Sequence, residues 1–238
     1  MFKKYFNNRL FILYVAPFFL GLLTVFSFQP YNLTIINFLV LPLFFYLTVY
    51  INKKSKSNFR KKPYRKNFFI FGCLFGFGFY LSGISWITNS LTFDENFKIL
   101  IPFALIFIPL FLSLFVGIAI LLIGPLLSYN LSSILIFSAA LGFSDFLRAK
   151  ILTGFPWNLW SYSLSWATET IQILNLTGLF AFNLIVITFF TLPIFLFLKI
   201  CIKKKIIFLL SYLSFIIGIY IFGVYEINKN NNFLKTIN

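Results

Sequence analysis

The 238-residue chain contains no histidine, five acidic residues and two cysteines. Without histidine, Ser-His-Asp and Cys-His catalysis and any histidine metal site are excluded within these residues. Cys73 and Cys201 are isolated and show no C-x-x-C spacing, so they form neither a disulfide framework nor a zinc site. The acids Asp94, Glu95, Asp145, Glu169 and Glu226 are scattered. No metal or cofactor is expected. Charged residues make up 11% of the chain, against roughly 25% in an ordinary soluble domain. A soluble fold needs polar surface to cover its core, and this chain has too little of it.

Apolar sequence is abundant: 60% of residues are hydrophobic and mean hydropathy is +0.93. Seven apolar stretches can be read, at 10–28, 33–51, 68–90, 99–123, 131–147, 171–198 and 206–224. At about 1.5 Å per residue, 19 helical residues reach about 28 Å, enough to cross a hydrocarbon core of about 30 Å. The expected fold is an all-α integral membrane protein, a bundle of about seven transmembrane helices over residues 1–224. A short polar extracytoplasmic tail is expected over 225–238. The first stretch is long for a signal peptide, lacks an A-x-A site and is followed at once by another span. Pro102, Pro109, Pro125 and Pro193 fall within or beside stretches and are expected to kink helices.

A net charge of +15 would suggest nucleic acid in a soluble chain. Here the bases lie between apolar stretches, so no nucleic-acid partner is expected. Fifteen of them cluster at the N-terminus, in 52–67 and between the sixth and seventh stretches. Five lie on the other side of the bundle, together with all five acids. The positive-inside rule then places the N-terminus in the cytoplasm and the C-terminus outside. The 52–67 run reads as a topology determinant that touches anionic headgroups.

Within the stretches, Gly72, Gly76 and Gly83 share one helix face and suit close helix packing. Cys73 lies among apolar neighbours, where a thiolate is costly, and reads as buried and inert. Asp145 and Arg148 are neighbours at the end of the fifth stretch. They read as a paired structural anchor or as polar lining for lipid headgroups. The run Leu152, Thr153, Gly154, Phe155, Pro156, Trp157 follows. Its glycine and proline break helix, and Trp157, Trp160 and Trp166 suit the headgroup layer, so an interfacial loop is expected on the outer side.

Several of these segments together resemble the apolipoprotein N-acyltransferases of Gram-negative inner membranes. The carriers are Phe26, Ser27, Phe28, Gln29, Pro30 and Tyr31, then 76–87 with Gly76, Gly83 and Trp86. They continue with Asp145, Phe146, Leu147 and Arg148, the Leu152 to Trp157 run, and Ser161 to Ser163 running on to Gln172 and Gly178. The Leu-Thr-Gly-Phe-Pro-Trp run is the most specific piece. Asp145 departs from the glutamate the pattern leads one to expect.

The resemblance implies a multi-pass protein of the bacterial inner membrane. Its partners would be membrane phospholipid, lipoprotein substrates and a nitrilase-like catalytic domain. In this family that domain follows the seventh span and carries a Glu-Lys-Cys triad. Its cysteine takes an acyl chain from a phospholipid and passes it to the α-amine of a diacylglyceryl-cysteine. These 238 residues match the membrane domain alone, so no position here receives a triad role. The expectation is a chain truncated before the catalytic domain: a fragment, a relic or half of a split enzyme. Two other functions compete, a non-catalytic membrane scaffold and a small transporter. A transporter calls for embedded polar residues and often an internal repeat. One charge pair and no repeat are visible.

Overall fold

The computed structural model describes residues 9–58, 63–151, 154, 156–198 and 201–237. Seven helices account for most of them: α1 Phe11–Ser27, α2 Asn37–Asn58, α3 Pro63–Ile84, α4 Ile101–Ile123, α5 Leu131–Arg148, α6 Leu179–Thr191 and α7 Ile202–Ile237. Short 3₁₀ turns join or extend them, and no strand occurs among the described residues. Six of the seven, with their extensions, are long and apolar enough to cross a membrane. The exception, α1, is shorter and reaches about 25 Å at the α-helical rise. The protein is an all-α, multi-pass membrane bundle.

Local chemistry sets many of the helix ends. The Asn130 side chain caps α5 by accepting from Ser133 N at 2.8 Å, satisfying a backbone donor the helix leaves open. Pro102 stands in the first turn of α4, where its missing N–H costs nothing. Pro109 lies buried inside the same helix. Pro125 and Pro193 sit in the 3₁₀ turns Gly124–Leu126 and Leu192–Phe197 that close α4 and α6. Only Pro109 therefore interrupts α4 internally, while Pro42 does so in α2.

Three stretches end differently from their sequence reading. The third is α-helical only to Ile84, then 3₁₀ over Ser85–Thr92. The sixth does not begin at 171: Thr168–Ile171 and Leu174–Thr177 are single helical turns, and α6 starts at Leu179. The cause is Gly178, whose φ of +74° breaks the helical path. Residues 225–237, expected as a short polar tail, are helical. They continue α7, because no glycine or proline follows Gly223 to stop it.

Helix α3 lies between α1 and α4, while α5 packs on α6. A Cβ added to Gly72 would come 2.9 Å from Val116 O, and one on Gly76 would come 3.0 Å from Ser113 Cα, so this face meets α4 backbone to backbone. The opposite face uses Gly78, which with Gly21 brings α1 against α3. Cys73 sits half-buried beside Gly117 of α4. With no hydrophobic force between helices in lipid, such close backbone approach supplies the van der Waals contact that holds them. Aromatic rings fill the centre. Phe44 stacks on Phe75 at 3.8 Å and on Phe71 at 5.3 Å, and Phe79 stacks on Trp160 at 5.0 Å. Helix α7 stands apart: only 6% of its apolar window is buried. It touches the bundle through Tyr212, stacked on Phe189 at 4.8 Å, through Phe208, 4.8 Å from the Phe195 ring, and through Gly223 beside the Glu169 carbonyl.

Candidate functional site at the loop end of the bundle

Because the helices alternate in direction, one end of the bundle gathers the 28–33, 85–100 and 149–178 connections. The sequence motifs converge there. Arg148, in the last turn of α5, is 2% exposed, and Asp145, one turn earlier, is 4% exposed. Arg148 Nη2 donates to Asp145 Oδ1 at 3.0 Å, and Arg148 Nη1 donates to the Trp157 carbonyl at 2.7 Å. The guanidinium also lies over the Tyr80 ring of α3, 5.2 Å from its centroid, a favourable placement for a buried cation. Asp145 Oδ2 accepts from Asn183 Nδ2 of α6 at 2.9 Å, and Asn183 Oδ1 accepts from Ser161 N at 3.0 Å. One carboxylate thus ties α5, α6 and the 157–163 loop together.

A second network lies beside it. Ser27 Oγ donates to Asn37 Oδ1 at 2.7 Å, and Asn37 Nδ2 donates to Ser163 Oγ at 3.0 Å. Thr34 Oγ1 donates to the Ser163 carbonyl and accepts from Trp166 Nε1, both at 2.7 Å. The turn between α1 and α2 is thereby bonded to the 160–166 segment more than 120 positions away. Tyr162, in the same segment, has its phenol pushed up by burial and drawn down less strongly by Arg148.

The sequence-predicted residues separate into two groups. Asp145 and Arg148 are buried and mutually satisfied, the geometry of an anchor. Pro156 and Trp157 are exposed, and Trp157 meets Trp86 edge to face at 5.4 Å. Gly154 has a φ of +75°, and a Cβ there would run into the Ala149 carbonyl. Thr153 and Phe155 lie outside the described residues. Gly72 and Gly76 face α4, but Gly83 faces the Asn158 side chain of the loop. Sequence reasoning missed Tyr80, Asn37, Thr34, Ser163 and Asn183. For Asn183 the signal was a lone amide inside an otherwise apolar run, which in a membrane segment needs a partner.

Chemically, the Asp145 carboxylate is enclosed. Each Asp145 oxygen accepts one strong hydrogen bond, so the carboxylate is committed to structure. The cavity lined by Tyr80, Ser144, Asp145 and Trp160 has a volume of about 10 Å³, space for about one water.

A model of the apolipoprotein N-acyltransferase N-terminal domain matches residues 20–192. This chain belongs to that family. The matched stretch contains every residue of both networks. The apolipoprotein N-acyltransferase of Bradyrhizobium diazoefficiens is 31% identical over 174 residues, 73% of this chain and 31% of that protein. The Rickettsia prowazekii protein of the same name is 34% identical over 161 residues, covering 67% of this chain and 32% of its own. The Agrobacterium fabrum protein is 33% identical over 123 residues, 51% of this chain and 23% of its own. The chain therefore spans about a third or less of the length of these relatives.

Proposed function

We propose that this chain serves as the membrane part of lipoprotein N-acylation: it anchors and orients a nitrilase-like catalytic domain and presents phospholipid to it. In this reading it resides in the bacterial inner membrane, N-terminus in the cytoplasm and C-terminus in the periplasm. The observation that carries the reading is the pair of buried hydrogen-bond networks at the loop end, all of whose residues fall inside the family match. They fix the outer loops as one rigid platform, which is what a catalytic domain needs beneath it. The side chains here do not supply acyl transfer themselves. That reaction needs an activated nucleophile, a base and oxyanion donors. Cys73 lies inside α3 and Cys201 precedes α7 at the opposite end of the bundle, and among the described residues neither belongs to a cluster with acidic side chains. A transporter has less support, since the buried ion pair lines space for about one water rather than a path.

The test is complementation in cells depleted of their own acyltransferase, with N-terminal acylation of a model lipoprotein read by mass spectrometry. Diacyl lipoprotein is expected with these 238 residues alone. Triacyl forms are expected when a nitrilase-like domain is supplied in trans. Triacylated lipoprotein from the chain by itself would overturn the proposal.

A further inference from the structure

The connection between α3 and α4 has a composition that water does not explain. Phe93 is 92% exposed, Ile99 74%, Phe97 51% and Trp86 49%. Yet 85–100 is almost entirely folded, as the 3₁₀ segments Ser85–Thr92 and Glu95–Leu100 with a short bend between them. One side is seated on the bundle: Ile87 and Thr88 share a small cavity with Ala104, Leu105 and Ile108 of α4. The aromatic side chains Trp86, Phe93 and Phe97 remain outside.

The polar atoms are largely occupied from within. Thr88, Ser90 and Thr92 each turn their hydroxyl back to a carbonyl three residues earlier, at 2.8, 2.7 and 2.7 Å. Asp94 accepts from Asn96 N, and Glu95 pairs with Lys98. These hydroxyls therefore ask little of surrounding water, and the rings stand exposed beside the charged Asp94, Glu95 and Lys98. Its height follows from the helices that flank it. The apolar part of α3, 68–84, is about 25 Å long and α4 about 35 Å, lengths that bracket a hydrocarbon core of about 30 Å. Residues beginning where these helices end stand at the level of the headgroups.

We propose that 85–100 is an in-plane membrane element. It lies in the headgroup layer of the leaflet at the loop end, with Trp86, Phe93 and Phe97 in contact with phospholipid. Aromatic side chains favour that layer, and folded segments with an apolar side outward lie along it. The occupant of this surface is lipid: the segment is continuous at both ends with helices that cross the bilayer, and its hydroxyl donors are already satisfied.

The experiment uses the full chain, with Cys73→Ser and Cys201→Ser, in vesicles of phosphatidylcholine and phosphatidylglycerol. An environment-sensitive fluorophore is attached at Phe93→Cys or, for comparison, at Glu95→Cys, both exposed positions. At 93, strong quenching by lipids spin-labelled near the headgroup and loss of iodide quenching are expected, with the reverse at 95. Equal iodide quenching at both positions places the segment in water and overturns the proposal. Shielding of 93 from both quenchers means that protein covers it, and overturns it equally. If the cysteine-free background folds poorly, the native tryptophans serve. Brominated phospholipid should quench the unmodified chain more than Trp86→Phe, and no difference between them also counts against lipid contact.

Discussion

Asp145 makes two hydrogen bonds that no other group replaces. In Asp145→Ala, Arg148 keeps the Trp157 carbonyl but loses its carboxylate, and Asn183 Nδ2 loses its acceptor. Removing one partner of a buried ion pair costs about 3–5 kcal/mol, because the other charge stays buried. Glu95→Ala removes an exposed pair with Lys98, worth about 0–1 kcal/mol. Melting in detergent should therefore fall clearly for Asp145→Ala and hardly for Glu95→Ala, and equal melting of the two would count against the anchor. Asn183→Leu should cost about 1–3 kcal/mol through the Asp145 oxygen and the Ser161 N–H it leaves behind. Because Asp145 and Asn183 share a bond, the double variant should lose less than the sum of the singles. A strictly additive result in that cycle would mean the two side chains do not act together.

Among the elements, α3 is fixed by glycines on two faces and α7 by almost nothing. A side chain at Gly78 would meet the backbone of α1 at Phe18 and Leu22, which has no room to yield. Gly78→Leu should cost about 1–3 kcal/mol or more by overpacking. Gly218 of α7 has open space where its Cβ would stand, so Gly218→Leu should leave the melting temperature near that of the parent chain. The same measurement in one detergent compares both. A large loss at Gly218 would show that α7 packs on something more than the single turn Thr168–Ile171 and the Phe189 and Phe195 rings.

Over the whole molecule, charge sets direction. The basic run of 52–67 falls largely on the end of α2 and the start of α3, with 59–62 outside the described residues. It stands at the end of the bundle opposite the two hydrogen-bond networks. The proposed orientation, which rests on the positive-inside rule, has those networks on the periplasmic side. Reporter fusions after Asn58 and after Lys229 check this, with a cytoplasmic signal expected at the first and a periplasmic signal at the second. Matching signals at the two sites would mean an even number of crossings between them and would overturn the assignment of α3 to α7 as five spans.

Hydropathy and loop charge were enough to read an all-α membrane bundle, since twenty apolar residues in a row have few other solutions. The motif order was enough to read the family, and an i, i+3 spacing was enough to pair Asp145 with Arg148. Periodicity states which face a residue occupies but not what lies across from it. The bond from Asp145 to Asn183 spans 38 positions and that from Asn37 to Ser163 spans 126. Neither leaves a local trace, so both were decided only when the helices packed. The same holds for Gly83, which shares a face with Gly72 and Gly76 yet meets the Asn158 side chain of a loop. The sixth span had a local cause that hydropathy hides: a glycine at positive φ breaks a helix without making the sequence less apolar. Local chemistry chose the helices. The long-range pairing of a few buried polar groups, which lipid leaves no alternative partner, decided how their ends lock together.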